Sequence, residues 1–308
     1  MVSRADVEAA ADRIVGRVRR TPVVEPGPGA FGLATRLTVK LELLQHTGSF
    51  KVRGAFNRLM TAPLPPAGVI AASGGNHGLA VAHAAGVLGV RAEVFVPDTS
   101  PAVKIDRLRR LGAEVHLVEG WYADALAASR LRQAATGALT VHAYDMPEVV
   151  AGQGTVGLEI AEDVPDVDTV VVAVGGAGLI GGVLAALPDR VRVVAVETTG
   201  TPSLHDALAA GRPVDVEVGG VAADALGARR VGDIGFAACQ ERAVPVVLVD
   251  DDAVLAARRL LWDELRVAAE PGGATAMAAV LDGGYRPEPG ERVVVLVCGG
   301  NTDPASLA

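Results

Sequence analysis

Short runs dense in β-branched residues recur along this chain, and most of the stretches between them carry apolar residues at helical spacing. The runs lie at 69–72, 92–97, 113–118, 139–142, 169–174, 191–196, 244–249 and 292–297. The intervening stretches include "PAVKIDRLRRLG" and "YADALAASRLRQAA". A parallel neighbour needs a long crossover, usually a helix, whereas a tight hairpin joins only antiparallel strands. The alternation therefore predicts β-α-β units, mainly parallel sheets and an α/β fold class. The earlier runs end before residue 145 and the others follow it, with "YDMPEVVAGQGT" between the groups. That break predicts two doubly wound lobes with a ligand cleft between them. With 308 residues, 50% of them hydrophobic, the chain has material for such cores.

The formal charge of -8 is spread along the sequence, and no basic cluster interleaved with aromatics occurs, so no nucleic-acid partner is expected. The two cysteines, Cys239 and Cys298, are too few and too far apart for a disulfide framework or a zinc site, which fits a reducing cytoplasm. "MVSRADVEAAADRIVGRVRR" carries charges throughout and has no apolar core of the secretory kind. Residues 169–188 run without a charge and contain a Gly178-x-x-x-Gly182 spacing. Their glycine content and the acidic flanks Asp168 and Asp189 argue against a membrane span. The run reads as a strand, a glycine loop and a helix, and the expected partner is a small molecule.

Glycine-rich turns stand where α/β sheets bind ligands, at the carboxyl ends of strands. "SGGNHG" at 73–78 follows "VIAA", and its amides are placed to receive an anion such as a carboxylate. Its polar pair Asn76 and His77 exceeds what a plain turn needs. His83 and His116 read as packing or surface residues. "VGGAGLIGG" at 174–182 spells G-x-G-x-x-G through Gly176, Gly178 and Gly181, and Glu197 ends the next strand about twenty residues on, as a dinucleotide fingerprint requires. Taken alone, this turn points to a nicotinamide-dependent oxidoreductase.

That reading leaves other features idle. "LTVKLEL" alternates like a half-buried strand, Ser49 reads as a helix N-cap, and Lys51 falls in the first helical turn, where the dipole disfavours a cation. "CGGN" at 298–301 forms a third glycine turn. One phosphate together with a reactive aldehyde would use all of these features. "KLELLQHTGSFKVRGA" resembles the signature around the Schiff-base lysine of fold type II pyridoxal-phosphate enzymes, within them the serine/threonine dehydratase family. "ASGGNHG", "AGQGTVGLEI", "GGAGLIGG", "EPGGATA" and "VCGGN" follow in that family's order, so the resemblance spans nearly the whole chain. Arg53 separates it from threonine synthases, which usually carry aspartate there. Cysteine synthases carry Asn-Pro in place of "HTG".

The resemblance implies a tryptophan synthase β-like architecture with pyridoxal 5'-phosphate in the cleft. A large cofactor-binding domain would comprise 1–45 and 144–308, and a small domain 46–143, without the regulatory domain of the feedback-controlled biosynthetic enzymes. Lys51 would hold the cofactor and serve as the catalytic base, with Phe50 packed against the ring. Gly175, Gly176, Ala177, Gly178 and Leu179 would bind the phosphate, Ala177 replacing the third glycine of the usual tetraglycine loop. Asn76 would meet the cofactor's 3'-oxygen, and Ser73, Gly74, Gly75, Asn76 and His77 the substrate carboxylate. Cys298 would face the pyridine nitrogen. A thiol is a weak hydrogen-bond partner, so it cannot hold that nitrogen protonated as a carboxylate would. The expected activity is deamination of L-threonine or L-serine to a 2-oxo acid and ammonia, in a cytoplasmic homodimer. Alternatives are β-replacement or threonine synthesis on the same cofactor, and the nicotinamide-dependent oxidoreductase. Racemase-dehydratases of this group use a glutamate and an aspartate six residues on for a divalent ion. Here these positions are Glu197 and Ser203, and no metal is expected.

Overall fold

The central strands come from valine-rich segments that have no polar face. Val293–Val297 and Thr169–Ala173 bury every residue, as strands covered by helices on both sides must. The computed structural model describes residues 1–27, 29–33, 35–61 and 63–307. Pro28, Ala34, Ala62 and Ala308, the last being the expected end of the large domain, lie outside the described residues.

In chain order the strands are β1 (Val23–Val24), β2 (Leu37–Leu41), β3 (Val69–Ala72), β4 (Ala92–Pro97), β5 (Glu114–Val118), β6 (Leu139–Thr140), β7 (Thr169–Ala173), β8 (Arg192–Thr198), β9 (Val246–Val249) and β10 (Val293–Val297). The helices are α1 (Arg4–Ile14), α2 (Lys51–Thr61), α3 (Asn76–Val87), α4 (Ala102–Arg110), α5 (Tyr122–Thr136), α6 (Pro147–Asp163), α7 (Gly178–Ala186), α8 (Ser203–Ala210), α9 (Ala223–Leu226), α10 (Asp233–Glu241), α11 (Asp251–Leu265) and α12 (Pro271–Leu281). One sheet has the order β1-β2-β10-β7-β8-β9 and the other β5-β4-β3-β6. All pairings are parallel except β1 with β2. The uncharged run 169–188 is β7, a glycine turn and α7. Among the described residues no helix is long and apolar enough to cross a membrane.

Two expectations fail, both around Lys51. Ser49 does not cap α2. It is extended, bridges to Gly299, and leaves its buried hydroxyl without a partner, while the Phe50 amide donates to the Cys298 carbonyl. Pairing with the end of β10 overrides the local capping preference, and the helix starts at Lys51. Nor is "LTVKLEL" half-buried, since Lys40 and Glu42 are both 0% exposed. Lys40 Nζ donates to Glu159 (2.7 Å) and Asp163 (3.2 Å). Arg53 grips Glu42 through two bonds of 2.8 and 2.7 Å and reaches Glu159 at 2.7 Å. The polar positions of the strand thus face an ion network shared with α2 and α6. Buried charges of this kind are tolerated only when each is paired and hydrogen-bonded.

Candidate active site

Segments that follow the carboxyl ends of β2, β3, β7 and β10 line one cavity, the position at which parallel sheets bind ligands. It is lined by Phe50, Lys51, Asn76, Tyr144, Gly175, Gly176, Ala177, Gly178, Leu179, Ala225, Leu226, Glu270 and Cys298, among others. The structure thus brings together Lys51, the glycine turn 175–179, Asn76 and Cys298 from four distant stretches of sequence. Ser73, Gly74, Gly75 and His77 stand beside this lining, outside it.

Lys51 is the first residue of α2, and its Nζ donates to the Ala143 carbonyl at 2.8 Å, 5.0 Å from the centre of the Phe50 ring. Burial lowers its pKa to about 8. A substantial share of the amine is therefore neutral near physiological pH, as a nucleophile and proton carrier must be.

The turn after β7 ends with Ala177 at φ 62, a left-handed conformation that costs alanine more than glycine. Among the described residues, the amides of Gly175, Gly176, Ala177, Gly178 and Leu179 donate to no acceptor within the chain. Buried amides of this kind require a partner, and α7 adds the positive end of its dipole. This donor set fits a phosphate dianion. A Cβ at 176 would collide with the Tyr144 ring, so the glycine there lets an aromatic wall close on the turn.

Cys298 is 4% exposed, and burial pushes its thiol up to about 12, so it is neutral. Among the described residues its Sγ hydrogen-bonds to the Gly272 carbonyl alone, at 3.7 Å. Asn76 opens α3 and donates from Nδ2 to Glu270 Oε1 at 2.6 Å. Ser73 Oγ accepts from the Gly75 amide at 3.2 Å. The His77 side chain turns into the core, its Nε2 2.8 Å from the Val141 carbonyl, and burial lowers its pKa to about 3, which keeps it neutral. His83 stacks on His46, and His116 stacks on Phe95 with its Nε2 2.9 Å from Glu93, so neither lines the cavity.

Glu197 is 0% exposed and accepts from the amides of Leu204 and His205, both at 2.8 Å, and from Ser203 Oγ at 3.1 Å. A carboxylate engaged in this way at the start of α8 is not free to take a ribose hydroxyl, which removes the acidic half of the dinucleotide fingerprint.

The sequence reading gave no role of their own to Tyr144 and Glu270, which line the cavity, or to Asn301, which stands behind Asn76. Glu270 is 5% exposed, and burial raises its pKa to about 7. The sequence signal for it is a lone carboxylate directly before "PGGATAMAAVL", a helix without a single charge.

A family model described as pyridoxal-phosphate dependent enzyme matches residues 14–299. The chain is 37% identical to an L-threonine ammonia-lyase of Thermotoga maritima, over 98% of this chain and 76% of the relative. It is 38% identical to a phenylserine dehydratase of Ralstonia pickettii, over 94% and 90% respectively. A solved structure of maize serine racemase superposes with a TM-score of 0.93 at 30% identity, covering 99% of this chain and 95% of the other.

Proposed function

The chain belongs to the pyridoxal-phosphate dependent enzymes, and on that premise we propose a lyase of the serine/threonine dehydratase branch, which converts a β-hydroxy amino acid to a 2-oxo acid and ammonia. L-Threonine and L-serine are the first substrates to expect. The observation that carries this reading is Lys51, with its lowered pKa, in one cavity with a turn of acceptorless amides.

When bound, pyridoxal phosphate supplies an electron-accepting π system for the electrons left at the substrate Cα. The chain's own residues supply the rest. Lys51 would hold the cofactor through its Nζ and, once the substrate's amine had displaced it there, its free amine would take the Cα proton, a step worth about 10²- to 10⁴-fold. The amides of 175–179 hold the phosphate, and Phe50 and Tyr144 shield the cavity from water. Asn76 donates to the 3'-oxygen, and the 73–77 turn receives the substrate carboxylate through its backbone. The neutral Cys298 thiol would meet the pyridine nitrogen without supplying a charge to hold a proton there, which would favour expulsion of the β-hydroxyl over return of the Cα proton. The substrate would lose its Cα proton and β-hydroxyl together as one water, and one water would be taken up when the released enamine, as its imine, hydrolyses to the 2-oxo acid and ammonia.

The division into 1–45 with 144–308 and 46–143 belongs to the same proposal, supported by β3 to β6 forming a sheet of their own. So do a cytoplasmic location, which suits the free thiols Cys239 and Cys298, and a homodimer, which sedimentation of the holoenzyme tests. The function is tested with a panel of β-hydroxy amino acids scored for 2-oxo acid and ammonia. Equimolar release from threonine or serine is expected. Release from neither, with product formed only when a second nucleophile is supplied, would favour β-replacement.

A further inference from the structure

Asn76 lies at one point of a hydrogen-bonded chain that leaves the cavity and ends on α4. Arg107 Nη2 donates to Asn301 Oδ1 at 2.5 Å. Asn301 Nδ2 donates to Asn76 Oδ1 at 2.5 Å and to the Thr47 carbonyl at 2.8 Å. Asn76 Nδ2 in turn donates to Glu270 Oε1 at 2.6 Å. Space around Asn301 is reserved for it: Gly48, at φ 80, has no Cβ, and one built there would lie 2.7 Å from Asn301 Oδ1.

The two ends of this chain differ in kind. A guanidinium only donates, and Glu270 Oε1 accepts from Asn76. An amide side chain has a donor end and an acceptor end, and which way it points is set by its partners. Arg107 and the Thr47 carbonyl therefore fix Asn301 with its oxygen towards α4 and its nitrogen towards Asn76. Asn301 and Glu270 then fix Asn76 with its oxygen towards Asn301 and its nitrogen towards the cavity wall. The second N–H of Asn76 Nδ2 remains to be donated.

We propose that Asn301, oriented by Arg107, is a positioning residue that makes Asn76 present an N–H, and not its carbonyl, to the cofactor's 3'-oxygen. The inference rests on the reading that Asn76 meets that oxygen. A donor there favours the form of the cofactor–lysine adduct in which the oxygen's negative charge is not shared with a neighbouring proton. It therefore lowers the pH at which the visible band titrates, and losing it raises that pH.

Asn301→Asp keeps the shape and the link to Arg107 but turns two donors into acceptors, against the Thr47 and Asn76 oxygens. Arg107→Glu reverses the polarity from the partly exposed end of the chain. Arg110→Glu makes the same charge change on the same helix, at an exposed residue outside the hydrogen-bonded chain. Asn76→Ala removes the donor itself. The readout is the pH titration of the bound cofactor's visible band in each purified holoenzyme. Asn76→Ala is expected to raise the midpoint by about one unit, the size of one hydrogen bond to a charged oxygen. Asn301→Asp and Arg107→Glu are expected to raise it by at least about half as much, with Arg110→Glu at the wild-type value. Should Asn301→Asp fail to fold, Arg107→Glu against Arg110→Glu decides alone. Wild-type midpoints in Asn301→Asp and Arg107→Glu beside a shifted Asn76→Ala would overturn the relay and leave Asn76 on the cofactor. An unshifted Asn76→Ala would overturn the relay and the placement of Asn76 together.

Discussion

Glu42→Gln tests whether the ion network behind Lys51 is as demanding as its burial implies. Arg53 is 1% exposed at its side chain and Glu42 0%. The substitution keeps the shape of Glu42 but removes its charge, leaving Arg53 with Glu159, which is 13% exposed, as its one ionic partner. Breaking a buried pair in this way costs about 3–5 kcal/mol, because a charge remains desolvated without compensation. With an unfolding entropy near 2.1 cal/mol/K per residue, 308 residues give about 0.65 kcal/mol/K, so the melting temperature falls by about 5–8 °C. Replacing both partners, Glu42→Leu with Arg53→Met, removes the desolvated charges together, and Glu159 keeps Lys40 as its partner. That double variant is expected to recover most of the loss. Thermal and urea unfolding of the wild type, Glu42→Gln, the double variant and its two single changes, Glu42→Leu and Arg53→Met, provide the assay. A drop of less than about 1 kcal/mol in Glu42→Gln, or a double variant as unstable as the two single changes added together, would refute the reasoning.

The lowered pKa of Lys51 sets the pH dependence of cofactor capture by the apoprotein. The neutral amine is the reactive form, so the rate should rise about tenfold per unit below pH 8 and level off above it; a rise continuing to pH 10 would show an ordinary lysine. Activity should survive EDTA, since Glu197 is engaged by Ser203 and two amides of α8, and a magnesium-reversible loss would contradict that. On the proposed function, elimination should proceed without racemisation, because the resembling racemases return a proton from the face opposite the lysine with a serine at the position held here by Gly74, which has no side chain. A Cβ there would meet Val96 at 3.5 Å and Ser100 at 3.6 Å, ordinary contacts, so the missing group is chemical and not steric. L-serine incubated in deuterated water should give no D-serine on chiral chromatography; D-serine formed as fast as pyruvate would count against the assignment.

Legibility in the sequence followed the range of the interactions. The buried strands were readable because their periodicity is local: β3 and β4 span the expected residues, and most others differ by one or two at their ends. The glycine turns were readable because backbone approach to an anion demands a particular residue type. Ser49 misled because a pairing with Gly299, some 250 positions away, decides its conformation. Lys40 and Glu42 misled for a related reason. A polar residue on a strand reads as solvent-facing unless its partners on α2 and α6 are known. Glu270 and Asn301 sit inside the "EPGGATA" and "VCGGN" stretches and Tyr144 just before α6, but what each does depends on partners that meet only when the ends of β3 and β10, the loop before α6 and the start of α12 converge.

The account stands most directly on Lys51. Purified holoenzyme is expected to be yellow and to release equimolar 2-oxo acid and ammonia from its preferred β-hydroxy amino acid, threonine or serine. Lys51→Ala, otherwise folded, is expected to lose both the colour and at least about 10²-fold of the turnover, the lower bound for a positioned general base. A colourless wild-type protein that turns over with a nicotinamide dinucleotide, or a Lys51→Ala variant that keeps both colour and turnover, would contradict it.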